Sequence, residues 1–212
     1  MIITINGHTV RIVKEPSPIE GLAFKPQMID FNNDEDWSIF TKGYSKEITQ
    51  DNYDFVDTLC KRYMSHGIIE IGVSNNGTNS FTNSLLINKP DRIPYLGIDI
   101  KDKTRLNNKE KQVYTIQADS FDQTTVRNYC KEINLDKISI LLIDGWHSVN
   151  ACINDWRYTD MLVPGGIVIF HDTNTHPGPT IIVEAINRSI YDVVKYFEDK
   201  PDFGLSVAYK KI

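Results

Sequence analysis

The stretch that decides the fold is IIEIGVSNNGTNSF, residues 68–81, which is followed by YLGIDI at residues 95–100. The first run is β-branched and apolar as far as Gly72, and small and polar residues then lead into a predicted helix start. The second run predicts a parallel strand that ends on Asp99. Such a loop lets a ligand approach the backbone closely, and an acid at the tip of the next strand is placed to accept hydrogen bonds from ribose hydroxyls. The pattern therefore predicts a nucleoside-binding site.

The spacing of this loop argues against a dinucleotide. In the GxGxxG fingerprint the middle glycine admits the pyrophosphate, and the ribose acid follows about 20 residues later. Here Ser74 replaces the middle glycine, and Asp99 comes 27 residues after Gly72. Glu70, two residues before Gly72, would repel a phosphate group. We therefore do not expect NAD to bind.

Composition and charge indicate a globular protein with a small-molecule partner. The 212-residue chain is 41% hydrophobic, which suits one domain, or one domain with an appendage, around a sizeable core. Its formal net charge of −5, without a basic stripe, disfavours nucleic acid as a partner. No apolar run reaches about 18 residues and the N-terminus does not read as a leader, so neither a membrane span nor a signal peptide is predicted.

The cysteines favour a cytoplasmic location. Cys60, Cys130 and Cys152 fall inside predicted helices and form no CxxC motif. An odd number of such residues is typical of reduced, packed thiols in an intracellular protein. The sequence leaves the oligomeric state open, and a homo-oligomer is compatible with it.

The first 48 residues differ from the rest in pattern. Residues 2–13, IITINGHTVRIV, alternate around Asn6-Gly7, which predicts a tight hairpin, and we expect it to be an appendage outside the core. From Lys14 to Ile48 the chain carries three prolines, an acidic cluster and scattered aromatic residues without a steady period. We interpret this stretch as a lid over the site, with a simple arm as the alternative. Residues 1–48 are thus predicted to be a hairpin and lid-like segment, and residues 49–212 the ligand-binding domain.

Strands and helices alternate along that domain. The last two strands are joined by so short a turn that they must pair antiparallel. The predicted helices are 49–66, 79–88, 124–133, 149–162 and 180–189, and the predicted strands are 68–73, 95–100, 113–119, 138–144, 167–172, 191–198 and 204–211. This order predicts an α/β fold in which helices wrap a parallel sheet.

With these elements in place, the chain resembles the class I S-adenosylmethionine-dependent methyltransferases. Their first motif is an acid-x-Gly-x-x-x-x-Gly turn, matched by Glu70, Gly72 and Gly77, and their second is an acid that closes strand 2, matched by Asp99. The resemblance covers about residues 49–212. It implies a Rossmann-like fold with a seven-stranded, mostly parallel sheet and a C-terminal antiparallel hairpin, and S-adenosylmethionine as the cofactor.

The resemblance also implies where each part of the cofactor binds. Glu70 would hold the ammonium group, Asp99 would bind the ribose with Asp102 as a competitor, and Asp119 with Ser120 would lie beside the adenine. The methionine moiety would face the start of the following helix, which favours its carboxylate. The implied cofactor-binding residues are Glu70, Gly72, Ser74, Gly77, Thr78, Asp99, Asp119 and Ser120.

Acids at two further strand ends predict a metal. Asp144 and Asp172 should project from adjacent parallel strands about 4.8 Å apart, and converging carboxylates need a cation or a shared proton. A hard divalent ion such as Mg²⁺ suits these oxygen ligands. The block resembles the catechol and macrolide-sugar O-methyltransferases, where an acid after strand 4 and a pair after strand 5 hold the metal. Here the pair is His171-Asp172, a departure, and Thr173 is the expected third ligand.

His147, in the DGWH block, is the expected general base. A histidine that titrates near neutrality beside a metal-bound hydroxyl suits that role, and the glycoside methyltransferases resembled here use one at this place. Trp146 is expected to pack. The catalytic residues are therefore His147 and Asp144.

Together these expectations describe a metal-assisted O-methyltransferase that acts on a hydroxyl of a small molecule such as a sugar or glycoside. One alternative is an oxidoreductase like the cephalosporin hydroxylase-like relatives, in which His147, His171 and Asp172 would mimic the two-His, one-carboxylate iron set. The other alternative is a non-catalytic nucleoside-binding module.

Overall fold

A computed structural model describes residues 1–30, 49–74, 80–198 and 202–212. Its strands are β1 Ile2–Ile5, β2 His8–Glu15, β3 Lys25–Met28, β4 Gly67–Ile71, β5 Tyr95–Asp99, β6 Val113–Gln117, β7 Ile138–Ile143, β8 Leu162–His171, β9 Tyr191–Tyr196 and β10 Leu205–Lys210. Its α-helices are α1 Gln50–Tyr63, α2 Phe81–Asn88, α3 Gln123–Glu132, α4 Val149–Trp156 and α5 Pro177–Ala185.

The main sheet has seven strands in the order β6-β5-β4-β7-β8-β10-β9. The first five run parallel, and the C-terminal hairpin of β9 and β10 adds antiparallel to β8. The predicted α/β fold and its closing hairpin are therefore confirmed. The chain order reverses between β4 and β7, and ligands of such sheets bind beyond the carboxyl ends of the strands at this point.

The central strands of the main sheet are buried on both faces. Every residue of β4 and β7 is buried, as expected where helices cover both sides of a parallel sheet.

No helix in the described part of the chain combines the length and apolarity that a bilayer crossing requires.

Several predicted helix bounds were wrong, and those of α4 and α5 differ most. The helix expected over 149–162 ends at Trp156, and a 3₁₀ turn, Arg157–Met161, leads into β8. The helix expected over 180–189 is α5, which begins three residues earlier with Pro177. Proline is favoured in a first helical turn because its missing N–H and fixed φ cost nothing there.

The N-terminal hairpin is confirmed, but the expectation that it lies outside the core was wrong. Asn6 and Gly7 have φ of 46° and 79°, the positive values that a tight two-residue hairpin needs. The inner residues Ile5, Val10 and Ile12 are buried and belong to the same hydrophobic cluster as the sheet residues of the main domain.

The hairpin joins the core because the chain after it is bonded to α4 and α5. Trp156 Nε1 donates to the Glu20 carbonyl at 2.9 Å, and Ala23 N donates to the Ala185 carbonyl at 2.8 Å. Residues 31–48, the main part of the predicted lid, lie outside the described residues.

Candidate active site

The loop after β4 packs directly on the end of β7. Gly72 has a φ of +85°, and a Cβ there would lie 2.0 Å from the Asp144 carbonyl oxygen. Only glycine fits this approach. Asp144 N in turn donates to the Ile71 carbonyl at 2.9 Å. Backbone contacts thus hold the loop after β4 against Asp144, the predicted metal ligand.

Asp99 closes β5 as predicted and holds the same loop. Its Oδ2 accepts from Val73 N at 2.9 Å, and its Oδ1 accepts from Lys101 N at 2.7 Å. The Lys103 ammonium lies 3.3 Å from Oδ2. Asp102, the competitor for the ribose, is exposed and instead accepts from Thr104 N at 2.8 Å, which ties it to a local turn.

Glu70 lies beneath the loop in a fully buried position. Its two carboxylate oxygens accept from the hydroxyls of Thr82 and Tyr95. Burial raises the pKa of Glu70 to about 8, although both hydroxyl donors oppose the rise. Thr82 Oγ1 also accepts from Ser74 N at 3.0 Å, so Glu70 supports the loop through Thr82. Direct contact with the ammonium group of a cofactor stays a prediction.

A cleft of about 420 Å³ collects five of the predicted site residues at the switch point. Its apolar walls include Ile71, Ile98 and Phe121, and Trp146, expected to pack, is half exposed at its rim. The predicted residues that line it are Gly72, Asp99, Asp119, Ser120 and Asp144. Gly77 and Thr78 lie outside the described residues.

The ends of β7 and β8 form a second group beside the cleft. His171 Nδ1 lies 3.0 Å from Asp144 Oδ1 and 3.2 Å from Asp172 Oδ1. His147 Nε2 lies 2.6 Å from Asp172 Oδ2. Asp172 has a φ of 62°, a region that non-glycine residues rarely adopt and that is often found at functional sites. We call Asp144, His147, His171 and Asp172 the acid–histidine cluster.

Within the acid–histidine cluster, the carboxylates and the histidines stabilise each other's charges. Burial opposes a charge on His171, but the carboxylates of Asp172 and Asp144 outweigh it and raise the pKa of His171 well above its ordinary value. Burial likewise opposes ionisation of Asp172, yet His171 and His147 hold the pKa of that carboxyl well below its usual range. His171 is the cation that the two converging carboxylates were expected to need.

His147 is positioned by its neighbours on both sides. Ser148 caps α4 directly after it, and Gly178 N at the start of α5 donates to the His147 carbonyl at 2.9 Å. The rings of His147 and His176 are stacked, 4.1 Å apart and within 4° of parallel. Burial and the neighbouring His147 lower the pKa of His176 to about 3, so His176 is neutral.

Two sets of ligand atoms within the described ranges converge to 4.8 Å or less: Asp144, His171 and Asp172, and His147, Asp172 and His176. An imidazole nitrogen binds a metal in the ring plane, so the two stacked rings of the second set cannot share one ion. The first set fits a divalent ion with mixed oxygen and nitrogen ligands, provided the ion displaces the proton of His171.

Thr173, the expected third metal ligand, has its hydroxyl engaged elsewhere. Thr173 Oγ1 accepts from Ser206 Oγ of β10 at 3.1 Å. His171 is the residue that joins the two acids, a role that was not predicted from the sequence. The signal was present in the His-Asp pair at the end of β8, where histidine replaces the acid of the resembled enzymes.

Comparison with solved structures identifies the fold. The MycE methyltransferase of the mycinamycin pathway, solved with Mg, S-adenosylhomocysteine and mycinamycin VI, matches with a TM-score of 0.54 and 16% identity over 84% of this chain and 54% of that one. The chain has the class I methyltransferase fold. It spans about half the length of MycE.

Two shorter methyltransferases match over most of their own length. An O-methyltransferase from Bacillus cereus, in complex with S-adenosylhomocysteine, has a TM-score of 0.54 and 14% identity over 82% of this chain and 86% of that one. CalS11, a TDP-rhamnose 3′-O-methyltransferase of calicheamicin biosynthesis, has a TM-score of 0.52 and 15% identity over 77% and 81%. No protein-family model and no curated protein matches the chain by sequence.

Proposed function

We propose that the protein is an S-adenosylmethionine-dependent O-methyltransferase that acts on a hydroxyl of a small molecule such as a sugar or glycoside, with the help of a divalent cation. The observation that carries the proposal is that two features meet at one edge of the sheet. One is the cleft that Asp99 lines, and the other is the acid–histidine cluster beside it. MycE, which has a similar fold, was solved with mycinamycin VI, and CalS11 is named a TDP-rhamnose 3′-O-methyltransferase. Both support a sugar or glycoside as the acceptor.

In this proposal the cofactor lies along the cleft. Asp99 binds the ribose, Asp119 and Ser120 lie beside the adenine, and the loop of Gly72 and Ser74 passes under the methionine moiety. The buried Glu70 keeps that loop in place through Thr82. Gly77 and Thr78 complete the methionine subsite.

Asp144 and Asp172, with His171, would hold the divalent cation, which lowers the pKa of an acceptor hydroxyl when bound. His147 is the base that takes the hydroxyl proton. Its Nε2 lies 2.6 Å from Asp172 Oδ2, and this contact keeps the ring oriented. The cleft holds the methyl donor in line with the acceptor oxygen.

The two alternatives have less support. The iron set of a hydroxylase needs two imidazoles and a carboxylate that point at one ion, whereas within the described residues no set of converging ligand atoms contains both His147 and His171. A non-catalytic nucleoside-binding module would have no use for the 2.6 Å contact between His147 and Asp172. We also propose a cytoplasmic location, supported by three free, buried cysteines.

Calorimetry with S-adenosylhomocysteine and with NADH tests the cofactor. We expect S-adenosylhomocysteine to bind and NADH not to, and we expect Asp99→Ala to weaken nucleoside binding about tenfold or more, because a charged hydrogen-bond acceptor is lost. Methyl transfer to a panel of sugars and glycosides then identifies the acceptor class. Tighter binding of NADH, or unchanged affinity in Asp99→Ala, would refute the proposal.

A further inference from the structure

Lys103 has its ammonium group inside the protein, beside the ribose acid. The residue is 6% exposed, whereas its neighbours Lys101 and Asp102 are exposed. Lysine is rarely buried unless its charge is paired, because removal of an ammonium from water is costly. This position therefore calls for an explanation beyond packing.

The partners of the ammonium connect the two loops that form the nucleoside site. Lys103 Nζ donates to the Val73 carbonyl in the loop after β4 and lies 3.3 Å from Asp99 Oδ2 at the end of β5. Asp99 Oδ2 also accepts from Val73 N. Val73, Asp99 and Lys103 thus form a closed set that fixes the acid relative to the loop.

The ammonium has one N–H without an acceptor among the described residues, and it lies next to Asp99, which lines the cleft. An ammonium group has three N–H bonds, and within the described residues Lys103 has two acceptors. A hydroxyl needs both an acceptor for its hydrogen and a donor for its oxygen, and a carboxylate 3.3 Å from an ammonium offers both at once. A carboxylate alone binds any hydroxyl hydrogen, but the pair binds the whole group.

We infer that Lys103 is a specificity residue of the nucleoside site, and that its ammonium donates to the oxygen of a ribose hydroxyl whose hydrogen is donated to Asp99. The inference rests on the proposed function, since it assigns a second ribose-binding residue to the same cofactor. The ligand chemistry is a ribose with its hydroxyls intact. Asp99 and Lys103 together discriminate it from a deoxyribose, because loss of the hydroxyl removes two hydrogen bonds to charged groups and leaves one N–H of the ammonium without an acceptor.

Calorimetry with S-adenosylhomocysteine and its 2′-deoxy and 3′-deoxy analogues tests the inference. We expect the wild-type protein to prefer the intact ribose over at least one deoxy analogue by about 10- to 100-fold. Lys103→Met should reduce that preference by about tenfold. Lys109→Met is the matched control, because Lys109 is exposed and does not line the cleft, and its preference should equal that of the wild type.

The ratio of affinities separates recognition from support of the loop. If Lys103 only braces the loop, Lys103→Met weakens all three ligands equally, the preference stays unchanged, and the inference is overturned. If Lys103→Met does not fold, Lys103→Gln replaces it, since glutamine is neutral and one bond shorter, so it keeps a polar group in the pocket but cannot supply the ammonium. An unchanged preference in that variant overturns the inference as well. Absence of S-adenosylhomocysteine binding by the wild type would instead refute the proposed function.

Discussion

Glu70 and Asp172 are both buried carboxylates, yet their surroundings drive their pKa values in opposite directions. Glu70 has two neutral hydroxyl donors and no cation in direct contact, so burial dominates and raises its pKa to about 8. Asp172 has two histidine rings within 3.2 Å, and their attraction outweighs burial. One acid is therefore a neutral support of a loop near pH 7, and the other is an anion between His147 and His171.

Replacement of Glu70 by glutamine should change how stability depends on pH. The pKa of Glu70 is raised in the folded state, so the folded protein binds more protons than the unfolded chain between about pH 4.5 and pH 8, and stability falls across that window. Burial also raises the pKa of Asp155, to about 7, and adds to the decline. In urea unfolding at pH 5 and pH 8, Glu70→Gln should lose less stability than the wild type, by on the order of 4 kcal/mol. Exposed Glu132→Gln is the control, and equal losses in all three proteins would contradict the assignment.

Replacement of His147 by alanine should separate catalysis from binding. A positioned general base contributes about 10²- to 10⁴-fold to turnover, so His147→Ala should lower turnover by that range. Affinity for S-adenosylhomocysteine and for a divalent cation should stay close to that of the wild type, because neither depends on the base. Exposed His66→Ala, remote from the cluster in sequence, should behave as wild type. Unchanged turnover in His147→Ala would return this histidine to a structural role.

Between elements, the N-terminal sheet depends on α4 and α5 for its burial. Alternation around Asn6-Gly7 predicted the hairpin because hairpin geometry is local and the turn type is set by two residues. Its place in the core was not predictable in the same way. That contact joins residues far apart in sequence, such as Trp156 and Glu20, and no local period records it.

Two isoleucines of the N-terminal sheet, one buried and one exposed, allow the burial of this sheet to be measured. Ile12 is 2% exposed and faces the core, whereas Ile2, on the adjacent strand β1, is 66% exposed. Ile12→Ala should lower the free energy of unfolding by about 2–5 kcal/mol, the usual cost of a large-to-small change in a packed core. Ile2→Ala should change it by less than about 0.5 kcal/mol. Chemical denaturation of both variants checks this, and similar small effects would show that the sheet is the appendage first expected.

Across the whole molecule, the sequence predicted the main sheet and the strand-end acids of the candidate site. Strand-end acids such as Asp99 and Asp144 were predictable because parallel strands end at one edge, and period and chain order determine which residues stand there. The third member of the proposed metal set was not predictable in this way. At the end of β8, the side chain that faces Asp144 is that of His171, at 3.0 Å, whereas the Thr173 hydroxyl is bonded to Ser206 of β10. These contacts depend on the local backbone and on a distant strand, so no sequence period predicts them.

Removal of divalent cations tests the site as a whole. Asp144 and Asp172 project from adjacent strands toward one point, so a chelator should abolish methyl transfer and added Mg²⁺ or Mn²⁺ should restore it. Asp144→Asn should weaken metal binding and activity together, while exposed Asp136→Asn should leave both unchanged, as titration calorimetry and a transfer assay will measure. Full activity in a chelator would contradict the metal. In that event the imidazolium of His171 is the cation that balances the two carboxylates, and His171→Ala rather than metal depletion should be the change that stops the reaction.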